Sequence, residues 1–330
     1  MFKNIIIIIV IVLVIALIVS YYIIGNYFYN IALNPSTDKS FVLSTLNNNE
    51  EQEVIQSKRV EWLENNSNDI YITSTNNGNL KLHAYEITKD EKCDIWAIII
   101  HGYMGEGNGM TYYAQEFNKR GYNALILDLR GHGNSEGDYV GMGWHDRLDV
   151  IDWINYIISK NENCKIILFG VSMGAATTMM TTGEELPDNV KLAISDCGYT
   201  SVYDEFSHQL KLLFNLPEFP VLYAANSSCK RKAHYNFKEA SSVNQIKKSK
   251  TPTLFIHGDI DNFVPFEMLE KVYEAASCDK EKLVIHGAGH GMSSTVNSEL
   301  YWKTIDEFMV KYFWKFPFDI NNGNLNLYDL

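Results

Sequence analysis

Lys165-Ile-Ile-Leu-Phe-Gly170-Val-Ser172-Met-Gly174-Ala-Ala-Thr-Thr-Met-Met180 begins as an apolar strand and ends as a segment suited to a helix. Between the two stands a serine inside Gly-x-Ser-x-Gly. A serine on a sharp strand-to-helix turn is presented to substrate, and glycines on either side avoid steric conflict where strand and helix approach closely. The amide of Met173, at the helix entrance, then points to where negative charge develops during attack on a carbonyl. The same pattern occurs at Gly133-Asn-Ser135-Glu-Gly137. Ser135, however, lies several residues beyond its strand in a glycine-rich loop, and no helix begins after it. Ser172 is therefore the candidate nucleophile.

Outward from this turn the chain alternates. Short apolar runs at Ile95 to Ile100, Ala124 to Leu129, Ile166 to Phe169, Leu192 to Ile194, Thr253 to Ile256 and Leu283 to Ile285 predict strands. Helical segments are predicted at Thr111 to Arg120, His145 to Ser159, Met173 to about Thr182, Phe266 to Ala276 and Thr295 to Tyr312. Strands that are apolar on both faces and separated by helices imply an α/β domain with a mainly parallel sheet covered on both sides. Upstream, a helix from Glu50 to about Glu64 precedes two strands, Ile70 to Thr75 and Leu80 to Ile87, joined at Asn76-Asn-Gly78-Asn79, a hairpin signal. Between Ser195 and Thr253 lie 57 residues rich in aromatics and leucine, among them Phe206, Leu210, Phe214, Phe219 and Tyr223. A connection of that length carries structure of its own, and the reading is an inserted lid at about 199–250.

A serine hydroxyl becomes a good nucleophile only when a neighbouring base takes its proton, so a histidine and an orienting carboxylate are sought downstream. His257-Gly-Asp259-Ile-Asp261-Asn-Phe-Val-Pro265 offers two aspartates in a strand-end loop, and His286-Gly-Ala-Gly-His290-Gly offers two histidines in the next. Asp261 is favoured as the acid and His290 as the base. The alternatives make His286 the last residue of its strand and leave Asp259 and Asp196 as turn or surface residues. Upstream, His101-Gly-Tyr103 closes the first central strand, where the amide of Tyr103 is placed to serve as a second oxyanion donor.

The N-terminus sets the location. Ile5 to Ile24 is a run of 20 residues without charge; at ~1.5 Å per residue it is long enough to cross ~30 Å of hydrocarbon. Residues 1–33 read as an uncleaved single-pass anchor with Lys3 and the terminal amine inside and the catalytic domain outside the cytoplasm. Residues 34–68 read as a polar tether and accessory helix, and 69–330 as the catalytic domain. The chain carries 46% hydrophobic residues and a net charge of −12, which excludes global disorder and opposes binding to nucleic acid. Its five cysteines are scattered, and neither cysteines nor histidines show metal-ligand spacing. The expectation is an enzyme without metal or cofactor.

The runs His101 to Gly137, Gly170-Val-Ser-Met-Gly174, His257 to Pro265 and Gly287 to Gly291 together resemble the α/β-hydrolase superfamily, and more narrowly its serine-aminopeptidase and lysophospholipase-like branch with its membrane-attached bacterial members. The resemblance spans about Ile70 to Tyr312. It implies a triad of Ser172, Asp261 and His290 with oxyanion amides on Tyr103 and Met173, and no cofactor. It also implies that the turn from Asp128 to Ser135 is structural, so His132 and Ser135 receive no catalytic role. Beside the anchor, the expected substrate is a carboxylic ester of acyl-lipid or lysolipid type. The alternatives are a serine peptidase of the same fold and a non-catalytic, membrane-tethered interaction protein.

Overall fold

The computed structural model describes residues 2–39, 50–76, 78–89 and 93–313. Residues 40–49 of the expected tether, Asn77 of the expected hairpin turn and the tail after Phe313 lie outside the described residues.

Eight strands form one sheet: β1 (Asn68–Thr73), β2 (Lys81–Ile87), β3 (Ile95–Ile100), β4 (Asn123–Leu127), β5 (Lys165–Val171), β6 (Val190–Asp196), β7 (Thr253–Gly258) and β8 (Lys280–Ile285). Their order is β1-β2-β4-β3-β5-β6-β7-β8. The pairs β1/β2 and β2/β4 are antiparallel, and every pair from β4/β3 to β7/β8 is parallel. The α/β domain with a mainly parallel sheet expected from the alternating pattern is thus present. All six residues of β3 and all five of β4 are buried, because helices cover both faces. One face carries Trp153, Ile154 and Met179. The other carries Phe117, Phe169, Tyr301 and Phe308.

Boundaries shift where local chemistry decides them. The strand β5 runs on to Val171, directly against Ser172, and β6 reaches Asp196. The last long helix starts at Ser298 rather than Thr295. Asn297 leaves helical geometry there, and its Oδ1 accepts the amide of Leu300 at 3.1 Å, the arrangement of an N-cap. A short helix, Ser293–Val296, precedes it.

The connection after β6 holds helices Val202–Phe214, Glu218–Lys232 and Ser242–Ile246. Ser201 and Ser241 cap the first and third through their side-chain oxygens, and the two serines form a β-bridge at the base of the insertion.

The helix Phe2–Leu33 is the one described helix long and apolar enough to cross a membrane. It has two parts. Its large apolar residues from Ile5 to Ile23 are exposed, whereas Gly25, Tyr29 and Leu33 are buried against the α/β body. Gly25 explains how the helix seats: a Cβ there would stand 2.4 Å from the carbonyl oxygen of Ala224, so only glycine permits this approach to helix Glu218–Lys232. Phe28 meets Phe214 edge to face at 5.4 Å between ring centres. The amide of Val140 donates to the carbonyl of Leu33 at 2.7 Å. The last third of the helix is thus packed as part of the body that follows it.

Candidate active site

Ser172 sits at the carboxyl end of β5 with φ 58° and ψ −118°, a left-handed backbone that a non-glycine residue adopts only when its surroundings enforce it. The neighbours do so. A Cβ on Gly170 would fall 2.1 Å from the carbonyl oxygen of Gly174, and one on Gly174 would fall 2.1 Å from that of Ile100. The amide of Ser172 donates to the carbonyl of Asp196 at 2.8 Å. The turn is held from three strands at once.

Three groups from three loops converge. The Oγ of Ser172 lies 2.8 Å from Nε2 of His290, and Nδ1 of His290 lies 2.8 Å from Oδ2 of Asp261. The other oxygen of Asp261 accepts the amides of Phe263 and Val264, each at 2.9 Å. Burial would raise the Asp261 carboxyl, but hydrogen bonds from His257 and His290 outweigh it and hold the group down at about 2. An ionised aspartate fixes His290 with its proton on Nδ1, which leaves Nε2 free to accept from Ser172.

The fold also separates the alternatives. His286 is exposed and pairs with Asp259 at 2.8 Å, an outer brace that joins the two loops away from Ser172. Asp196, which the sequence left as a turn or surface alternative, is instead completely buried and accepts from the hydroxyl of Tyr301 at 2.9 Å. Burial pushes it up to about 6. Ser135 donates to the carbonyl of Asp128 at 2.6 Å and accepts the amide of His83 at 2.8 Å. His132 stacks edge-on to His101 at 4.8 Å. Both belong to a turn centred on the buried Asp128 carboxylate, which accepts the amides of Gly107 and Asn134 and faces Nδ1 of His83 at 2.7 Å.

Opposite Ser172 runs the segment after β3. A Cβ on Gly102 would stand 3.3 Å from Cβ of Ser172, so the Tyr103 amide, one residue on, borders the same space. Tyr103 and Met173 both line the cavity that opens onto Ser172. The first amides of a helix have no partner within it, and Met173 opens the helix that follows Ser172.

Sequence reasoning gave no role to His101, His257, Glu205 or Gln209. His101 is buried; its Nε2 accepts the amide of Leu129 at 3.1 Å, so its Nδ1 carries the proton and donates to the carbonyl of Gly102 at 2.7 Å. Burial holds its pKa down, so a neutral ring clamps the segment that carries Tyr103. The ring N–H of His257 is shared between the carbonyl of Val264 at 3.0 Å and Oδ2 of Asp261 at 3.3 Å. Its spacing of four from Asp261 was the only sequence signal. Cys197 brings a thiol within 4.8 Å of the ligand atoms of Asp261 and His290; burial pushes that thiol well up, and the other two groups are already bonded to each other.

The cavity spans about 840 Å³ of space, open solvent at its mouth included. Its walls are mostly apolar, with Phe206, Leu210, Leu213 and Leu222 from the inserted helices and Phe28, Ile31 and Ala32 from the N-terminal helix. Glu205 and Gln209 are the polar exceptions among the inserted residues. Gln209 Nε2 donates to Glu205 Oε1 at 2.9 Å and to the carbonyl of Phe263 at 2.8 Å. Burial drives the Glu205 carboxyl up to about 8.

Residues 94–216 match the family model described as serine aminopeptidase, S33. The uncharacterized protein YqkD of Bacillus subtilis is 30% identical over 213 residues, which cover 64% of this chain and 70% of YqkD. The lysophosphatidylserine lipase ABHD12 of Danio rerio is 25% identical over 190 residues, 56% of this chain and 47% of that protein. Among solved structures, an esterase of Pyrococcus furiosus superposes with a TM-score of 0.61 at 24% identity, covering 76% of this chain and 93% of the esterase. With a parallel sheet, a serine at the β5 turn and these relatives, the chain belongs to the α/β-hydrolase superfamily, in the branch of the serine aminopeptidase S33 model.

Proposed function

We propose that the protein is a membrane-anchored serine hydrolase of carboxylic esters, with Ser172, His290 and Asp261 as its triad, residues 69–330 as the catalytic domain and the inserted helices as a lid. The observation that carries this reading is the 2.8 Å and 2.8 Å relay from Ser172 through His290 to an ionised Asp261, opening onto an apolar cavity. In this mechanism His290 takes the hydroxyl proton as Oγ of Ser172 attacks the ester carbonyl. The amides of Met173 and Tyr103 receive the oxyanion. As the intermediate collapses, the C–O bond to the alcohol breaks and His290 returns the proton to the departing oxygen. Water then repeats the sequence on the acyl-enzyme, releasing the acid and restoring Ser172.

An ester is favoured over a peptide with a free amine because Glu205, the carboxyl among the cavity residues, is held neutral by burial at pH 7 and offers no charge for an ammonium group. The lysophosphatidylserine lipase relative supports an acyl chain as the group bound. The helix Phe2–Leu33 is assigned as a single-pass anchor with the catalytic domain on the extracytoplasmic side, on the strength of its bare apolar stretch and the position of Lys3 before it.

The test is labelling of the full chain and of Ser172→Ala with a fluorophosphonate probe, with the adduct located by peptide mass spectrometry. The expected result is an adduct on Ser172 that disappears in the variant. Folded wild-type protein that stays unlabelled would overturn the reading in favour of a non-catalytic interaction protein.

A further inference from the structure

The membrane helix and the catalytic cavity are not separate features. Phe28, Ile31 and Ala32, near the end of that helix, line the same cavity as Ser172 and Met173. Their position is fixed: the hydroxyl of Tyr103 donates to the carbonyl of Ala32 at 2.6 Å, and Leu33 holds the amide of Val140. The bare stretch ends at Ile23. From Phe2 to Ile23 the helix rises ~33 Å at ~1.5 Å per residue, about the thickness of the hydrocarbon layer. Phe28 then lies ~7 Å further along the axis, within the depth of a lipid headgroup layer.

The side chains around this level suit a bilayer surface. Arg231 donates to Oδ1 of Asn26 at 3.0 Å and stands 4.6 Å from the ring of Tyr22, and Lys230 and Lys232 flank it in the last turn of its helix. Tyr21 bonds Ser227 at 3.0 Å. On the same inserted helix Phe219 is 70% exposed and Tyr223 is 44% exposed. Aromatic and basic groups at one level are the usual composition of a membrane interface.

We infer that the membrane helix is itself one wall of the acyl site, and that the substrates are single-chain acyl esters seated in the leaflet beside it, whose chain passes along Phe28, Ile31 and Ala32 while the ester reaches Ser172. The inference rests on the serine-hydrolase reading and adds a route and a class of substrate to it. An acyl chain that had to cross water would be disfavoured about fourfold for each methylene exposed. A wall continuous with the helix in the bilayer removes most of that penalty.

The test uses the full chain in lipid nanodiscs and reads kcat/KM for p-nitrophenyl dodecanoate divided by that for the butanoate. Ile31→Trp narrows the wall and is expected to lower this ratio about tenfold or more, and Phe28→Ala to move the preferred chain length upward. Ile9→Trp, on the bare part of the helix, is expected to leave the ratio unmoved. Each protein is also labelled with the fluorophosphonate probe, which reports whether Ser172 is assembled. Labelled Ile31→Trp and Phe28→Ala proteins with wild-type ratios would overturn the inference and leave the serine-hydrolase reading standing. An unlabelled wild-type protein would overturn both. If Ile31→Trp alone fails to fold, Phe28→Ala decides, since a chain-length preference identical to wild type refutes the wall and a longer one supports it.

Discussion

Glu205 gives a prediction that can be worked to a number. It is 4% exposed, its Oε1 accepts from Gln209, and its Oε2 has no partner among the described residues. Burial raises its carboxyl from 4.5 to about 8. Between those two values the folded chain keeps a proton that the unfolded chain has released, so stability falls as pH rises. The stability held by the neutral form is complete below the unfolded value and is lost on the way up to about 8. Each pH unit in this window costs about 1.4 kcal/mol, so going from about pH 5.5 to about pH 7.5 costs about 2.7 kcal/mol through this one group.

Glu205→Gln copies the neutral carboxyl in shape and cannot ionise, so it should remove that slope. Asp146 and Asp196, each pushed up to about 6 by burial, titrate in both proteins and cancel in the difference. At ~2 °C per kcal/mol for a chain of this size, the melting temperature of wild type should drop relative to the variant by about 5 °C over the window. The assay is intrinsic-fluorescence melting of the full chain in detergent across that pH range. Parallel curves would refute the reasoning, because they would mean that Glu205 is already ionised at about pH 5.5 in the folded state or not buried at all. A functional counterpart follows: above about pH 8 a carboxylate enters an apolar cavity, so turnover of long-chain esters should decline in wild type and hold in Glu205→Gln.

Two further outcomes are expected. Asp261→Asn removes the carboxylate that fixes the His290 tautomer and should lower kcat on the order of 10⁴-fold, measured by p-nitrophenyl butanoate hydrolysis. Arg130, 1% exposed, donates to both oxygens of Asp149 at 2.7 Å; Arg130→Leu strands a buried carboxylate and should cost about 3–5 kcal/mol in urea unfolding, most of it recovered when Asp149→Asn is added.

The central sheet was legible because its strands are apolar on both faces and end at Gly, His or Asp turns, signals local to a few residues. Ser172 was legible for the same reason: strand, Gly-x-Ser-x-Gly and helix are contiguous in the chain. The two aspartates and two histidines of the later loops were harder. Asp259 and Asp261 differ by two positions, and pairing with His286 or His290 depends on how β7 and β8 set their loops, information carried by the sheet rather than by either loop. Asp196 illustrates the opposite failure. A lone carboxylate after a strand reads as solvent-exposed, and only the arrival of Tyr301, 105 residues later, supplies the buried partner.

The N-terminal helix shows why a hydropathy reading stops short. Twenty apolar residues mark a segment long and apolar enough to cross a membrane, and composition is the same whether a residue meets lipid or a protein cavity. What distinguishes Phe28 and Ile31 from Ile8 and Ile11 is the close approach that Gly25 allows to Ala224, a contact spanning 199 positions of sequence. An anchor that serves only as a tether has no reason to keep glycine at the one place where a Cβ would collide with a backbone oxygen at 2.4 Å. Nor does a tether need Ala32 to hold, through the hydroxyl of Tyr103, the residue whose amide is proposed to receive the oxyanion. The proposed anchor and the geometry at Ser172 are therefore mechanically joined, and a change at the Gly25 crossing should reach both.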